Sequence, residues 1–172
     1  MLMNVFEIEE TLKTITILYD TREQPTKKLE RRINQFGCPA LKEKLDYGDY
    51  SIKCVMLDKN EFSMKNKVVI ERKMDIGELC MCMGQQRKRF ESEFERAKKD
   101  GCKVYLLIEN GSMDKILRHD YESRMNPKAL IASICAWIPR YNMIPIFCTS
   151  ANSGKIIKEV LFRELKEYLK GI

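Results

Sequence analysis

Short blocks of apolar residues alternate with polar ones along the chain, and the period of the apolar positions changes from block to block. β-branched residues dominate residues 14–19, which a polar segment through Pro25 follows, so this block is predicted to be a strand. Thr26 suits the N-cap of a helix that ends at Phe36, and Gly37 suits its C-cap. The N-terminal part therefore predicts a strand followed by a helix.

The same pattern of alternating element types continues to the C-terminus. The further predicted elements are a strand over residues 50–57, a polar connection over 59–67, a strand over 67–72, a helix over 75–99, a strand over 103–109, a helix from 127 to about 140, a strand over 144–149, and a helix to 169 capped by Asn152 or Ser153. Strands separated by helices predict a mixed central sheet covered on both faces, a three-layer α/β/α sandwich.

The length and composition narrow the class of protein. A chain of 172 residues suits one domain, predicted over residues 1–172, with 1–13 forming an N-terminal arm or a short helix. Hydrophobic residues make up 44% and no apolar run reaches the ~20 residues of a membrane span, so no membrane partner is expected. The N-terminus lacks the pattern of a secretory signal, which predicts an intracellular protein.

The cysteines and the net charge give weaker indications. Seven cysteines is an odd number, which disfavours a disulfide framework. Cys80 and Cys82 form a CxC pair, but one histidine and no second pair nearby disfavour a tetrahedral zinc site, and burial of these thiols is the favoured interpretation. The net charge of +6 is compatible with a polyanionic partner and does not require one.

The triplet Glu71-Arg72-Lys73 carries the candidate chemistry. Because side chains alternate along a strand, Glu71 and Lys73 point to one face, while Arg72 points to the other or flanks the site. Asp49 begins the preceding strand, and antiparallel pairing is expected to bring its carboxylate beside Glu71. Hydrolysis of a phosphodiester requires a divalent cation, for which carboxylates are suitable ligands, and a cationic group near the attacking water. The only other acid-x-Lys triplet begins at Glu164, in an amphipathic helix.

The sequence motifs around this triplet resemble the signature of the XPF-type branch nuclease family, whose domain is restriction-endonuclease-like. The matching strings are Gly48-Asp49-Tyr50, Glu71-Arg72-Lys73, Asp20-Thr21-Arg22-Glu23 and Arg89-Phe90. The resemblance covers about residues 14–169. Strings over 45–50 and 123–128 are most similar to stand-alone bacterial and phage versions of the domain.

The resemblance implies a role for each matching residue. Asp20, Asp49 and Glu71 would bind Mg²⁺ or Mn²⁺, directly or through water. Lys73 would orient and activate the attacking water. Arg22 and Arg72 would hold the scissile phosphate or brace the carboxylates, and Glu23 is a candidate for the outer shell. The predicted catalytic set is therefore Asp20, Asp49, Glu71, Arg72 and Lys73. A purely structural ion-pair network among the acids and arginines is the alternative.

The chain departs from the family pattern in two ways. Gly77 stands where the family usually has an acid, and Asp75 or Glu78 is a candidate outer-shell substitute. The helix-hairpin-helix units of many relatives have no counterpart in this sequence, so a homodimer or a protein partner stays open. The predicted contacts to phosphate are Arg22, Arg72, Arg87, Arg89, Arg124 and Lys128.

Three functions follow from these observations. The first is a metal-dependent DNA endonuclease, structure-selective for branched, flap or nicked DNA rather than sequence-specific, which places the chain in DNA repair or recombination. The second is a non-catalytic DNA-binding or scaffold subunit that retains the nuclease fold, which the glycine at position 77 favours. The third is a nuclease acting on RNA, since no residue visibly distinguishes a 2′-hydroxyl.

Overall fold

Seven helices and seven strands occupy residues 3–171, the part of the chain that the computed structural model describes. In chain order they are α1 (Val5–Leu12), β1 (Thr16–Tyr19), α2 (Lys27–Phe36), β2 (Ala40–Lys42), β3 (Tyr50–Val55), β4 (Glu61–Ser63), β5 (Val68–Lys73), α3 (Ile76–Met83), α4 (Arg87–Lys99), β6 (Lys103–Glu109), α5 (Met113–Leu117), α6 (Pro127–Tyr141), β7 (Met143–Cys148) and α7 (Ser153–Leu169). No helix in this part of the chain has the length and hydropathy needed to cross a lipid bilayer.

The chain divides into two compact units. Residues up to Val69, together with those from Gly154 onward, form the first unit, and Ile70–Ser153 form the second. Strand β5 begins in the first unit and ends in the second, so the Glu71-Arg72-Lys73 triplet belongs to the second unit. A single domain over the whole chain stays a prediction.

In the first unit, β1 is the middle strand of a small mixed sheet. It pairs parallel with β2 and antiparallel with β3, with Tyr19 opposite Tyr50, and β4 pairs antiparallel with β3. Ile17, Leu18 and Ile52 are fully buried, as β-branched and aliphatic residues in a covered sheet should be. This register brings the end of β1 next to the start of β3.

In the second unit, β6 and β7 pair in parallel from Val104 opposite Met143 to Glu109 opposite Cys148. Helices α4 and α6 bury an aromatic cluster of Phe90, Phe94, Trp137 and Tyr141, whose neighbouring ring centroids are 4.9–5.8 Å apart. Along the hydrogen-bonded path of the sheet, this unit has the strand order β5-β6-β7. A mixed sheet with flanking helices confirms the predicted α/β class.

Most predicted elements are confirmed, one predicted helix is wrong, and the short elements β2, β4 and α5 were not predicted. Helix α2 has Thr26 as its N-cap and Gly37 in the left-handed conformation as its C-cap, and Asn126 caps α6, as the local signals indicate. The single helix predicted over residues 75–99 is two helices, interrupted at Gly84. For residues 1–13 an N-terminal arm and a short helix were both left open, and the short helix α1 is present within this segment.

Candidate active site

In the first unit, Asp20 lies at the end of β1 and is completely buried. Its Oδ1 accepts hydrogen bonds from the backbone N–H of Arg22 (2.8 Å) and from Arg22 Nε (2.5 Å), and its Oδ2 accepts one from the backbone N–H of Leu45 (2.7 Å). A carboxylate offers about four acceptor positions. The contacts leave Oδ2 as the oxygen better placed to accept a further ligand.

These bonds hold the turn that presents Asp49. The backbone N–H of Asp20 donates to Asp49 O (2.8 Å), and an Arg22 guanidinium N–H donates to Gly48 O (3.2 Å). Gly48 has a φ of 60°, a left-handed conformation that glycine adopts without strain. Asp49 is half-buried directly before β3. The structure therefore brings Asp20, Arg22 and Asp49 together, and Arg22 braces the carboxylate of Asp20.

The ionised form of Asp20 is favoured in this setting. Burial raises the pKa of Asp20, but the hydrogen bonds from Arg22 and from the Leu45 amide outweigh burial and leave the pKa below its ordinary value of 3.8. Asp20 is thus a charged group under ordinary conditions, and the folded state depends on it.

Glu23, the predicted outer-shell acid, is part of a separate buried network. Its Oε2 accepts hydrogen bonds from Arg32 (3.2 Å) and from the Tyr50 hydroxyl (3.0 Å), and Arg32 Nε also donates to that hydroxyl (3.0 Å). Arg32 is 4% exposed, so its charge needs such a partner. Arg32 was not predicted as part of the site, and Tyr50 was named only within the string Gly48-Asp49-Tyr50. These contacts give Glu23 a structural use, and its outer-shell role stays a prediction.

In the second unit, Glu71 and Lys73 point to the same face of β5, as the strand period predicts. The Lys73 ammonium donates to Glu71 Oε1 at 2.5 Å, and each residue is 7% exposed. A buried charge without a partner is unfavourable, so the two charges support each other. A carboxylate and an ammonium group are therefore held next to each other at the end of the strand.

Two residues from the helices that follow β5 contact Lys73. The Lys73 ammonium lies 4.7 Å from the centroid of the Phe90 ring, on α4. Cys82, on α3, is close enough to Lys73 for the positive charge of the lysine to act on its thiol. Burial raises the pKa of the Cys82 thiol, and the positive charge of Lys73 opposes that effect. Neither contact was predicted, although the Arg89-Phe90 string marked the right helix.

Arg72 lies between the two acid-base residues in sequence but makes a different ion pair. Its NH1 group lies 3.3 Å from Oε2 of Glu109, the last residue of β6, which is 1% exposed. Sequence reasoning missed Glu109. The available signal was an acid that closes an otherwise apolar strand. Arg72 is therefore paired with Glu109, and its roles toward the phosphate or the metal-binding carboxylates stay predictions.

The acids around Gly77 cap α3. Asp75 is the N-cap, and its Oδ1 accepts from the backbone N–H of Glu78 (2.7 Å), while Glu78 Oε2 accepts from the backbone N–H of Met74 (2.7 Å). A Cβ atom added at Gly77 would lie 3.2 Å from Asp75 Oδ1 and 3.3 Å from Glu122 O. The glycine thus fits a crowded position, and the outer-shell roles of Asp75 and Glu78 stay predictions.

The donor chemistry of the candidate ligands suits Mg²⁺ or Mn²⁺, since carboxylate oxygens are what hard cations prefer. Among residues 3–171, no group of three or more His, Cys, Asp or Glu side chains forms a ready-made metal site. Mg²⁺ in phosphoryl-transfer sites is typically held by one or two carboxylates, with water and substrate phosphate completing the shell. The residues present fit this second arrangement. All seven cysteines are free.

The residues predicted to contact phosphate differ in their exposure and in whether they are already bonded within the protein. Arg87 donates to Glu91 Oε1 (2.9 Å) and to Ser133 Oγ (3.1 Å), so its guanidinium already has internal partners. Arg89 is exposed in the first turn of α4. This first turn contains no acidic residue, and no side chain caps it by a hydrogen bond. Arg124 is exposed and lines a cavity of about 640 Å³, and Lys128 is exposed at the start of α6.

Two solved structures share the fold of this chain. XPF from Aeropyrum pernix superposes with a TM-score of 0.60 and 15% sequence identity, over 88% of this chain and 69% of the XPF chain. XPF from Aeropyrum pernix in complex with DNA gives a TM-score of 0.58 and 17% identity, over 89% of this chain and 66% of the XPF chain. These likenesses establish an XPF-type nuclease fold.

The family follows from the sequence itself. The family model described as the ERCC4 domain matches residues 19–159, and the chain belongs to that family. The resemblance to XPF-type nucleases is thereby confirmed, while a bacterial or phage source stays a prediction. No curated protein matches the chain.

The depressed pKa of Asp20 predicts how stability depends on pH. A carboxyl group whose pKa is lower in the folded state stabilises that state above its unfolded value, and the stabilisation is lost as pH falls through the folded value. Replacing Asp20→Asn should lower the free energy of unfolding at pH 7. The difference from wild type should shrink as pH falls below 3.8, the ordinary value.

Denaturant unfolding at a series of pH values measures this difference. Asp46→Asn is the matched control, because Asp46 is an exposed acid in the same unit. The control should follow wild type throughout. A constant difference between wild type and Asp20→Asn from pH 7 to pH 3 would contradict the role given to the Asp20 carboxylate.

Proposed function

We propose that this chain is a divalent-metal-dependent endodeoxyribonuclease that hydrolyses phosphodiester bonds in branched, flap or nicked DNA. One observation carries the proposal: the buried Glu71 carboxylate and Lys73 ammonium are held 2.5 Å apart at the end of β5, in the triplet that resembles the family signature. The membership of the chain in the ERCC4-domain family supports the same function.

Each signature residue has a role in the proposed reaction. Glu71 and Asp49 are the proposed metal ligands, and Asp20 can contribute through Oδ2 or a bridging water while it holds the turn before β3. Lys73 orients the attacking water and holds a positive charge close to the phosphate. A bound Mg²⁺ or Mn²⁺ would polarise the phosphate and lower the pKa of water.

The proposed substrate class rests on shape and charge rather than on base recognition. A solved XPF structure of the same fold is described as a complex with DNA. The net charge of +6 and the exposed Lys88 and Arg89, at a helix start without an acidic residue, suit contacts to phosphates. Phosphate contacts position a duplex without reading its sequence. Selectivity for DNA structure is therefore expected.

A non-catalytic DNA-binding subunit is the second candidate, and Gly77 favours it. The position leaves little room for the acid that the family usually has there, because even a Cβ atom would lie 3.2 Å from the Asp75 carboxylate. This candidate predicts DNA binding without cleavage in the presence of metal. The paired Glu71 and Lys73 support the catalytic function instead.

Removal of the buried pair tests the catalytic proposal. Glu71→Gln and Lys73→Met should each lower the rate of DNA cleavage about a hundredfold or more, because a metal ligand or the water-orienting ammonium is lost. DNA affinity should change little. Since one remaining buried charge destabilises the fold, the double variant Glu71→Gln/Lys73→Met is included, and thermal unfolding identifies variants that are folded.

The chain contains a matched control for this experiment. Glu164 and Lys166 form the other acid-x-Lys triplet, on α7. Glu164→Gln and Lys166→Met should cleave like wild type. Cleavage at the wild-type rate by folded variants of Glu71 and Lys73 would contradict the proposed active site.

The proposed DNA contact at the start of α4 is tested by salt dependence. Arg89→Ala should weaken binding to all DNA sequences alike and lower the slope of log K against log salt concentration by about 1. Lys99→Ala removes an exposed charge from the opposite end of the same helix and is the control. Fluorescence anisotropy at several salt concentrations measures both slopes. Equal slopes for the two variants would exclude Arg89 as a phosphate contact.

A further inference from the structure

The Lys73 ammonium contacts an aromatic ring that has no role in the proposed reaction. The ammonium lies 4.7 Å from the centroid of the Phe90 ring and 2.5 Å from Glu71 Oε1. Lys73 is 7% exposed and Phe90 is 5% exposed. The negative face of an aromatic ring attracts a cation within about 6 Å, and more strongly where water is excluded. The ammonium therefore has two attractive partners of different kinds.

The two partners differ in what happens when Glu71 acts as a metal ligand. A carboxylate that also faces a divalent cation attracts a nearby ammonium less, because the charge of the cation opposes that of the lysine. The Phe90 ring carries no net charge and accepts no proton, so its attraction for Lys73 is unaffected by that competition. Phe90 is thus able to keep the ammonium in place when Glu71 is engaged elsewhere.

The Phe90 ring is itself held in a fixed orientation. Phe94 packs against it edge to face, with centroids 5.0 Å apart at 79°, and Trp137 lies 5.1 Å away. Trp137 is fully buried and Phe94 is 2% exposed, so neither ring is free to turn into solvent. Helix α4 therefore presents one aromatic face to Lys73, and the next residue towards the N-terminus, Arg89, is exposed.

We propose that Phe90 is a positioning residue that holds the Lys73 ammonium by a cation–π interaction in the orientation needed for cleavage. The inference rests on the proposed nuclease function, and it adds a residue that touches neither the phosphate nor the metal. Its effect is on the rate of the chemical step. Substrate binding is left to other residues, so Phe90 should influence kcat and leave KM unchanged.

A fluorination series tests this role without removing the ring. Phenylalanine at position 90 is replaced by its mono-, di- and 3,4,5-trifluoro analogues, which weaken the negative ring face progressively and change the ring size little. The kcat for DNA cleavage should fall with each fluorine, to a total of roughly threefold to thirtyfold, the range that cation–π energies correspond to. KM should stay within about twofold of wild type, because only the cation–π energy is altered.

Phe94 provides the matched control. It belongs to the same aromatic cluster and is equally buried, but the described cation–π contacts do not include it. The same analogues at position 94 should leave kcat unchanged. Equal kcat values across the series at position 90, or the same decline at both positions, would overturn the inference.

A second measurement examines the contact without metal, DNA or activity. When Lys73 is present, trifluorination of the ring at position 90 should lower the Tm. In the Lys73→Met variant, the same trifluorination should leave the Tm unchanged. Absence of this difference would overturn the inference. If wild type cleaves no DNA while the difference in Tm persists, the contact exists but the proposed function fails, and the positioning role fails with it. The two failures are therefore distinguishable.

Discussion

The rest of the candidate site depends on two opposite charges that are buried side by side at the end of β5. The Glu71 carboxylate and the Lys73 ammonium are both 7% exposed and 2.5 Å apart. An ion removed from water without a partner costs several kcal/mol, so the strand alternation that places both on one face is a requirement of the fold. The helices after β5 complete the enclosure with Cys82 and Phe90. A fold that needs this pair keeps a carboxylate and an ammonium group next to each other.

Several of the candidate acids have a structural use. Asp20, Asp75 and Glu78 accept hydrogen bonds from backbone N–H groups at turns or helix ends, and Glu23 accepts one from the Tyr50 hydroxyl. Asp20, Asp49 and Glu71 stay the proposed ligands of a cation. One or two carboxylates are what Mg²⁺ generally takes from a protein when a phosphate supplies further oxygens.

The extent to which the sequence predicted the structure depends on how local each signal is. The caps of α2 and α6 were predicted because capping depends on one or two neighbouring residues. Strands β2 and β4, three residues each, were missed because they exist through pairing with β1 and β3, which a local pattern does not reveal. The break at Gly84 was missed because apolar residues continue at helical spacing on both sides. The family strings marked Glu71, Lys73 and Phe90, but they did not reveal that Phe90 contacts Lys73 or that Arg72 pairs with Glu109, because these contacts join separate elements.

A cleavage panel shows whether the chain cuts DNA with the aid of a metal ion. Labelled duplex, nicked, flap and four-way DNA are incubated with the protein in Mg²⁺, in Mn²⁺ and in excess chelator. The account predicts cutting of the nicked, flap or branched substrates when metal is present, and intact DNA with chelator. Substrates that are bound but stay intact in both metals would contradict the account and favour a non-catalytic DNA-binding subunit.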